Sequence, residues 1–187
     1  MSLRDICFIS IFAAITAVCA QIGIPMPIGV PFTLQTFAVP LAGVVLGAKK
    51  GALSSVVYVA LGMIGIPVFS GFSGGIAVIF GKTGGYIVSF PILALLAGIG
   101  SDLYEKVEGA WKKNLVLYAG IVLGIAANFA SGMYVGKIIL SCSLAQAFAL
   151  FALPYLPTSA IKIVLAGVVG TKAKKLLFRS SPIHRPR

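Results

Sequence analysis

Few polar side chains in this chain could handle a ligand, and one of them is a cation in apolar company. Lys162 stands near the start of the run 158–170, whereas the four acidic residues, Asp5, Asp102, Glu105 and Glu108, lie at the amino terminus or in one polar stretch. An ammonium in such surroundings is costly unless a polar cavity or an anionic guest satisfies it. The other outlet is to snorkel along its four-carbon stem to an interface. Ser159 precedes the lysine by one helical turn, Thr33 and Gln35 open an earlier apolar run, Tyr86 opens another, and Asn128 falls deep in a third. Together these amide, hydroxyl and ammonium groups suit a small ligand with an uncharged polar head and an anionic character. For Gln35 and Asn128 taken singly, interhelical hydrogen bonding is an equally good reading. Phe32, Phe72 and Tyr86 would supply the apolar walls that small-molecule pockets require.

What is missing narrows the chemistry. No carboxylate falls inside an apolar run, which argues against proton- or sodium-coupled symport. The pattern G-x-x-x-x-G-K-[ST] is absent, so the chain cannot hydrolyse ATP alone. There is no His/Asp/Glu cluster for a catalytic metal and no Ser/His or Cys/His set for nucleophilic catalysis. Cys7, Cys19 and Cys142 follow no metal-ligand spacing and support no disulfide framework, and His184 belongs to the polar tail. The expectation is a protein that binds something, needs no metal or cofactor, and borrows its energy.

The elements that must position these groups are membrane helices. Of 187 residues, 59% are hydrophobic and 10% charged, with a mean hydropathy of +1.06. Globular domains run nearer half apolar and a quarter charged, so this composition defines a polytopic membrane protein. Apolar stretches recur at 6–23, 33–47, 52–69, 86–100, 115–136 and 145–170. The second and fourth are short for the roughly 20 residues a crossing needs. The first is followed by Gln21, Gly23 and prolines rather than a cleavage site, and is read as a retained helix. In the last, Pro154 and Pro157 break any continuous helix. Thr158 or Ser159 is then the expected N-cap of a sixth helix over 158–177, and 143–153 is left as a re-entrant or lid-like piece.

A formal charge of +11 raises nucleic-acid binding, and the placement of the charges argues against it. Arg4, Lys49, Lys50, Lys106, Lys112, Lys113 and the tail cations occupy alternate gaps, and the opposite gaps hold only Lys82 and Lys137. The positive-inside rule then predicts an even number of crossings with both termini cytoplasmic. The expected fold is an all-α integral membrane bundle of six transmembrane helices. It comprises a substrate-binding membrane domain, 1–178, and a basic cytoplasmic tail, 179–187, in the plasma membrane of a prokaryotic-type cell.

The gaps on the outer side are unusual. The segment 24–32 is apolar and proline-rich, hence stiff and extended. Gly71-Phe72-Ser73-Gly74-Gly75 and Gly81-Lys82-Thr83-Gly84-Gly85-Tyr86 flank a short apolar run. Their glycines either let backbone N–H groups approach a ligand or let helices pack closely.

At these residues the chain resembles BioY, the biotin-binding S components of energy-coupling factor (ECF) transporters. The matching stretches are Pro31-Phe32-Thr33-Leu34-Gln35-Thr36-Phe37, Leu46-Gly47-Ala48-Lys49-Lys50-Gly51-Ala52, Gly65-Ile66-Pro67-Val68-Phe69, 71–75, 81–86, and Leu156-Pro157 followed by Lys162. The similarity spans roughly residues 5–175. It implies a six-helix S-component fold, capture of biotin from outside, and docking to a transmembrane coupling subunit that carries two ATPases. The ligand set it implies is Phe32, Gln35, Phe72, Ser73, Gly74, Tyr86, Asn128, Ser159 and Lys162. Ala13 and Ala17, spaced small-xxx-small on the first helix, match the surface used for docking, although such spacing also serves packing within a bundle. In two places the chain departs from the family pattern: Ser159 stands where an Asp is usual, and Lys82 where a Pro is usual. Two rival expectations follow, an S component for a different vitamin or small anion, and a small intramembrane enzyme.

Overall fold

The computed structural model describes residues 1–27 and 29–178, so the expected basic tail lies outside the described residues. Eight α-helices are described: α1 (Leu3–Gln21), α2 (Gln35–Leu46), α3 (Ala48–Met63), α4 (Ile76–Ile79), α5 (Gly84–Lys106), α6 (Ala110–Leu140), α7 (Leu144–Phe151) and α8 (Leu156–Phe178). Six are longer than one or two turns. By length and composition four segments can cross a bilayer: α1, α5, α6 and the stretch Leu144–Phe178 that ends in α8. Helix α2, at 12 residues, reaches only about 18 Å. It is the buried centre of the bundle, packed against α1, α3, α5 and α8. Protein rather than lipid surrounds it, which is why its apolar run is short.

The sharpest reversal lies between α2 and α3. Lys49 and Lys50 were expected in a loop; they occupy the first turn of α3, and the connection is Gly47 alone. Its φ of +81° is open to glycine at little cost. Asp102 of α5 completes the turn by accepting a hydrogen bond from the Ala48 N–H at 3.1 Å, a cap supplied from a distant helix. The backbones then meet almost directly, since a β-carbon on Gly98 would come within 2.5 Å of the Ala48 nitrogen. Helix α3 also ends sooner than its apolar run, and residues 64–75 turn back as a loop.

The last stretch departs from expectation in one detail. Helix α8 begins at Leu156, after a 3-10 turn over Leu153–Tyr155, and neither Thr158 nor Ser159 is its cap. The Thr158 hydroxyl instead donates back to the Tyr155 carbonyl at 3.0 Å. Pro157 fits in the first turn because its missing N–H would have had no helical partner. The short piece before it is α7, opened by a capping box between Ser143 and Gln146, with Ala147 and Phe151 turned inward.

Charge separates the two ends of the bundle. At one end Asp5 pairs with Lys50 at 2.5 Å, and Lys174 with Glu105 at 3.0 Å. At the other end converge the end of α1, the start of α2, the loop after α3, and the starts of α5 and α8.

Candidate ligand-binding site

Those converging segments enclose a cavity of about 540 Å³, within the usual span of small-molecule sites. The proline loop covers it, contributing Pro25, Met26, Gly29, Val30 and Pro31. A two-residue antiparallel pairing, Gly23–Ile24 with Phe32–Thr33, closes this loop on itself. Across the cavity Gln21, at the end of α1, fixes the glycine loop. Its Nε2 donates to the Phe69 carbonyl at 3.0 Å and its Oε1 accepts from the Phe72 N–H at 2.9 Å.

Lys162 points from α8 into this space and is 7% exposed. Its Nζ donates to the Thr33 carbonyl at 2.6 Å and to Thr36 Oγ1 at 2.9 Å, and stands 4.3 Å from the centre of the Phe32 ring. Neutral acceptors and a π face therefore hold the charge. Among the described residues no acidic side chain pairs with it, and Asp5, Asp102 and Glu105 are engaged at the opposite end. Of the three N–H groups of an ammonium, the hydrogen bonds to Thr33 and Thr36 engage two. The Phe32 ring is fixed by stacking on Tyr155 (5.7 Å, 10° between planes), and the Tyr155 hydroxyl donates to the Val30 carbonyl at 2.6 Å.

Gln35 belongs to a second relay. Its Oε1 accepts from Thr33 Oγ1 at 2.8 Å and its Nε2 donates to the Tyr58 hydroxyl, which donates in turn to the Val68 carbonyl at 3.1 Å. The relay orients the amide on the wall and ties α2 to α3 and its following loop. Ser159, buried at 5% exposure, and Ser73 add hydroxyls to the lining. Tyr86 lines it with its ring while its hydroxyl reaches the Phe151 carbonyl of α7.

Gln35, Ser73, Tyr86, Ser159 and Lys162 thus line one hollow, with Phe32 directly behind the lysine. Five other expected residues lie elsewhere. Asn128 is buried off the cavity, donating to the Tyr86 carbonyl at 2.9 Å and to Ser89 Oγ at 2.7 Å, so its amide joins α6 to α5. Phe72 is 73% exposed and faces away, on a backbone of φ 55° held by Gln21. Gly74 is packed against the Ile66 carbonyl, where a side chain has no room. Ala13, at 3% exposure, is part of the core and Ala17 packs against it. The outward face of α1 instead carries Ser10, Ile11, Ala14 and Val18. The small-residue spacing therefore serves packing inside the bundle.

Sequence reasoning missed Tyr58, Tyr155 and the anchoring role of Gln21. Tyr155 had a signal: an aromatic with a polar tip between two prolines, seven residues before the lysine. Tyr58 had none, because its hydroxyl sits in the middle of an ordinary apolar run.

A mostly apolar hollow with a few convergent polar groups, at one end of a membrane-helix bundle, defines a small-molecule-binding membrane protein. The chain belongs to the BioY family, whose model matches residues 1–179. It is 38% identical over 173 residues to a probable biotin transporter BioY of Pyrococcus horikoshii, covering 92% of this chain and 97% of that one. To the biotin transporter BioY of Thermotoga maritima it is 37% identical over 175 residues, covering 93% and 98%. Its fold matches the crystal structure of the S-component for biotin from an ECF-type ABC transporter with a TM-score of 0.82, over 94% of this chain and 95% of that one, at 23% identity. The protein is accordingly a multi-pass membrane protein of a transporter family.

Proposed function

We propose that this protein is the substrate-capturing membrane subunit of a biotin uptake system of the ECF type. It takes biotin from outside the cell and releases it inward when joined to a coupling transmembrane subunit and two ATPase subunits. The observation that carries this reading is Lys162: a buried ammonium held only by neutral groups, beside a hollow of ligand size. Biotin offers a ureido carbonyl to that N–H and to the Ser159 hydroxyl, ureido N–H groups to Gln35 Oε1, and an aliphatic tail to the apolar walls. In this reading the cavity opens outward, with six crossings and both termini in the cytoplasm, an orientation that the alternating cations support.

Purified protein in detergent should bind labelled biotin saturably and reversibly without ATP, and native mass spectrometry should detect the vitamin retained from expression cells. Lack of saturable binding by ligand-free protein would remove the proposal. Ser159, a neutral hydroxyl beside the lysine in the lining of the hollow, favours one second reading, another vitamin in the same hollow. A competition panel decides between them, because unlabelled biotin must outcompete the other vitamins.

A further inference from the structure

The turn between α4 and α5 carries a further cation of the cavity end, Lys82, which the site described so far does not use. Lys82 is partly buried, and residues on both sides of it in sequence, Val78 and Thr83, line the hollow. Its side chain crosses to the opposite wall. A β-carbon placed on Gly29, itself a lining residue, would lie 3.7 Å from Lys82 Cδ and 3.8 Å from Nζ. The ammonium therefore stands where the proline loop meets the glycine-rich turn. All four carboxylates of the chain belong to residues 5 and 102–108, at the far end of the bundle.

We infer that Lys82 is a specificity-determining residue that recognises the anionic end of the ligand, an inference that rests on the biotin reading above. Lys162 and Lys82 differ in how they sit at this end of the molecule. Lys162 is deep and already committed to a carbonyl, a hydroxyl and a ring face, an arrangement matched to a neutral polar head. Lys82 lies at the edge, where a carboxylate can keep part of its hydration while gaining a charge-assisted hydrogen bond. With three N–H groups it can hold the proline loop and a carboxylate together. The ligand class is thus a neutral polar head joined to a carboxylate by a flexible apolar spacer.

The test compares biotin with its uncharged methyl ester, by calorimetry on purified ligand-free protein, in the wild type, Lys82→Gln and Lys82→Arg. Wild-type protein should prefer the acid by about tenfold or more, as expected for a partly shielded ion pair. Lys82→Gln should abolish that preference while leaving ester affinity within about twofold, and Lys82→Arg should keep it. An unchanged acid-to-ester ratio in Lys82→Gln, or no preference in the wild type, overturns the inference. Equal weakening of both ligands overturns it too, and leaves Lys82 as a strut for the proline loop. Wild-type protein that binds neither compound defeats the biotin reading itself, a result distinct from binding both without charge discrimination.

Discussion

Lys162 shows how a membrane-embedded cation is kept without a carboxylate. A carbonyl, a hydroxyl and the Phe32 face share the charge, and the two hydrogen bonds use two of its three N–H groups. Lys162→Ala should weaken biotin binding by about 2 kcal/mol or more, roughly thirtyfold, as for other buried charged contacts. Equilibrium dialysis with labelled biotin measures it, and unchanged affinity would take the lysine out of the site. Tyr58→Phe makes a different demand. It removes the partner of Gln35 Nε2 and leaves the Val68 carbonyl only its longer bond from Gln21 Nε2 at 3.4 Å, at a cost of about 1–3 kcal/mol for an unpaired group. Both thermal stability and biotin affinity should fall, whereas substitution of exposed Phe72 by Ser should leave affinity within about threefold.

At the scale of elements, the one-residue reversal at Gly47 sets how deeply α2 is buried. Its three supports are the positive φ of Gly47, the Asp102 cap on Ala48, and the bare backbone of Gly98 against α3. Asp102→Ala should lower stability by about 1 kcal/mol, the usual worth of a cap. Gly98→Val should cost more, about 1–3 kcal/mol or enough to prevent folding, because the backbones would have to part. Fluorescence-monitored thermal unfolding in a mild detergent measures both. Equal melting temperatures for wild type and Asp102→Ala would show that the cap contributes nothing. Neither site touches the cavity, so biotin affinity of whatever folds should be retained.

For the whole molecule, polarity follows charge: acid–base pairs gather at one end and the hollow at the other. If the charged end is cytoplasmic, a cysteine at position 113 in a background lacking Cys7, Cys19 and Cys142 should react with an impermeant maleimide only after cells are opened. A cysteine at position 143 should react in intact cells. The reverse pattern would invert the orientation and turn the cavity inward. Uptake should also depend on ATP-driven partners, and transport by the isolated chain in vesicles would contradict that dependence.

Sequence alone determined the membrane class, the helical architecture and the polarity of charge, and singled out Lys162 as a cation in apolar company. Each follows from composition or from the cost of one ion in an apolar run, quantities that need no knowledge of neighbours. Runs of apolar residues do not report which faces protein and which faces lipid, so the central place of α2 and the one-residue turn at Gly47 were illegible. The division of the polar candidates was likewise a tertiary matter. Gln35 and Asn128 are the same kind of residue in the same kind of run, yet Gln35, at a helix start, opens on a hollow and Asn128, inside α6, faces Ser89. Only packing decides whether an amide meets a ligand or another helix, because its hydrogen bonds are satisfied by whatever lies within about 3 Å.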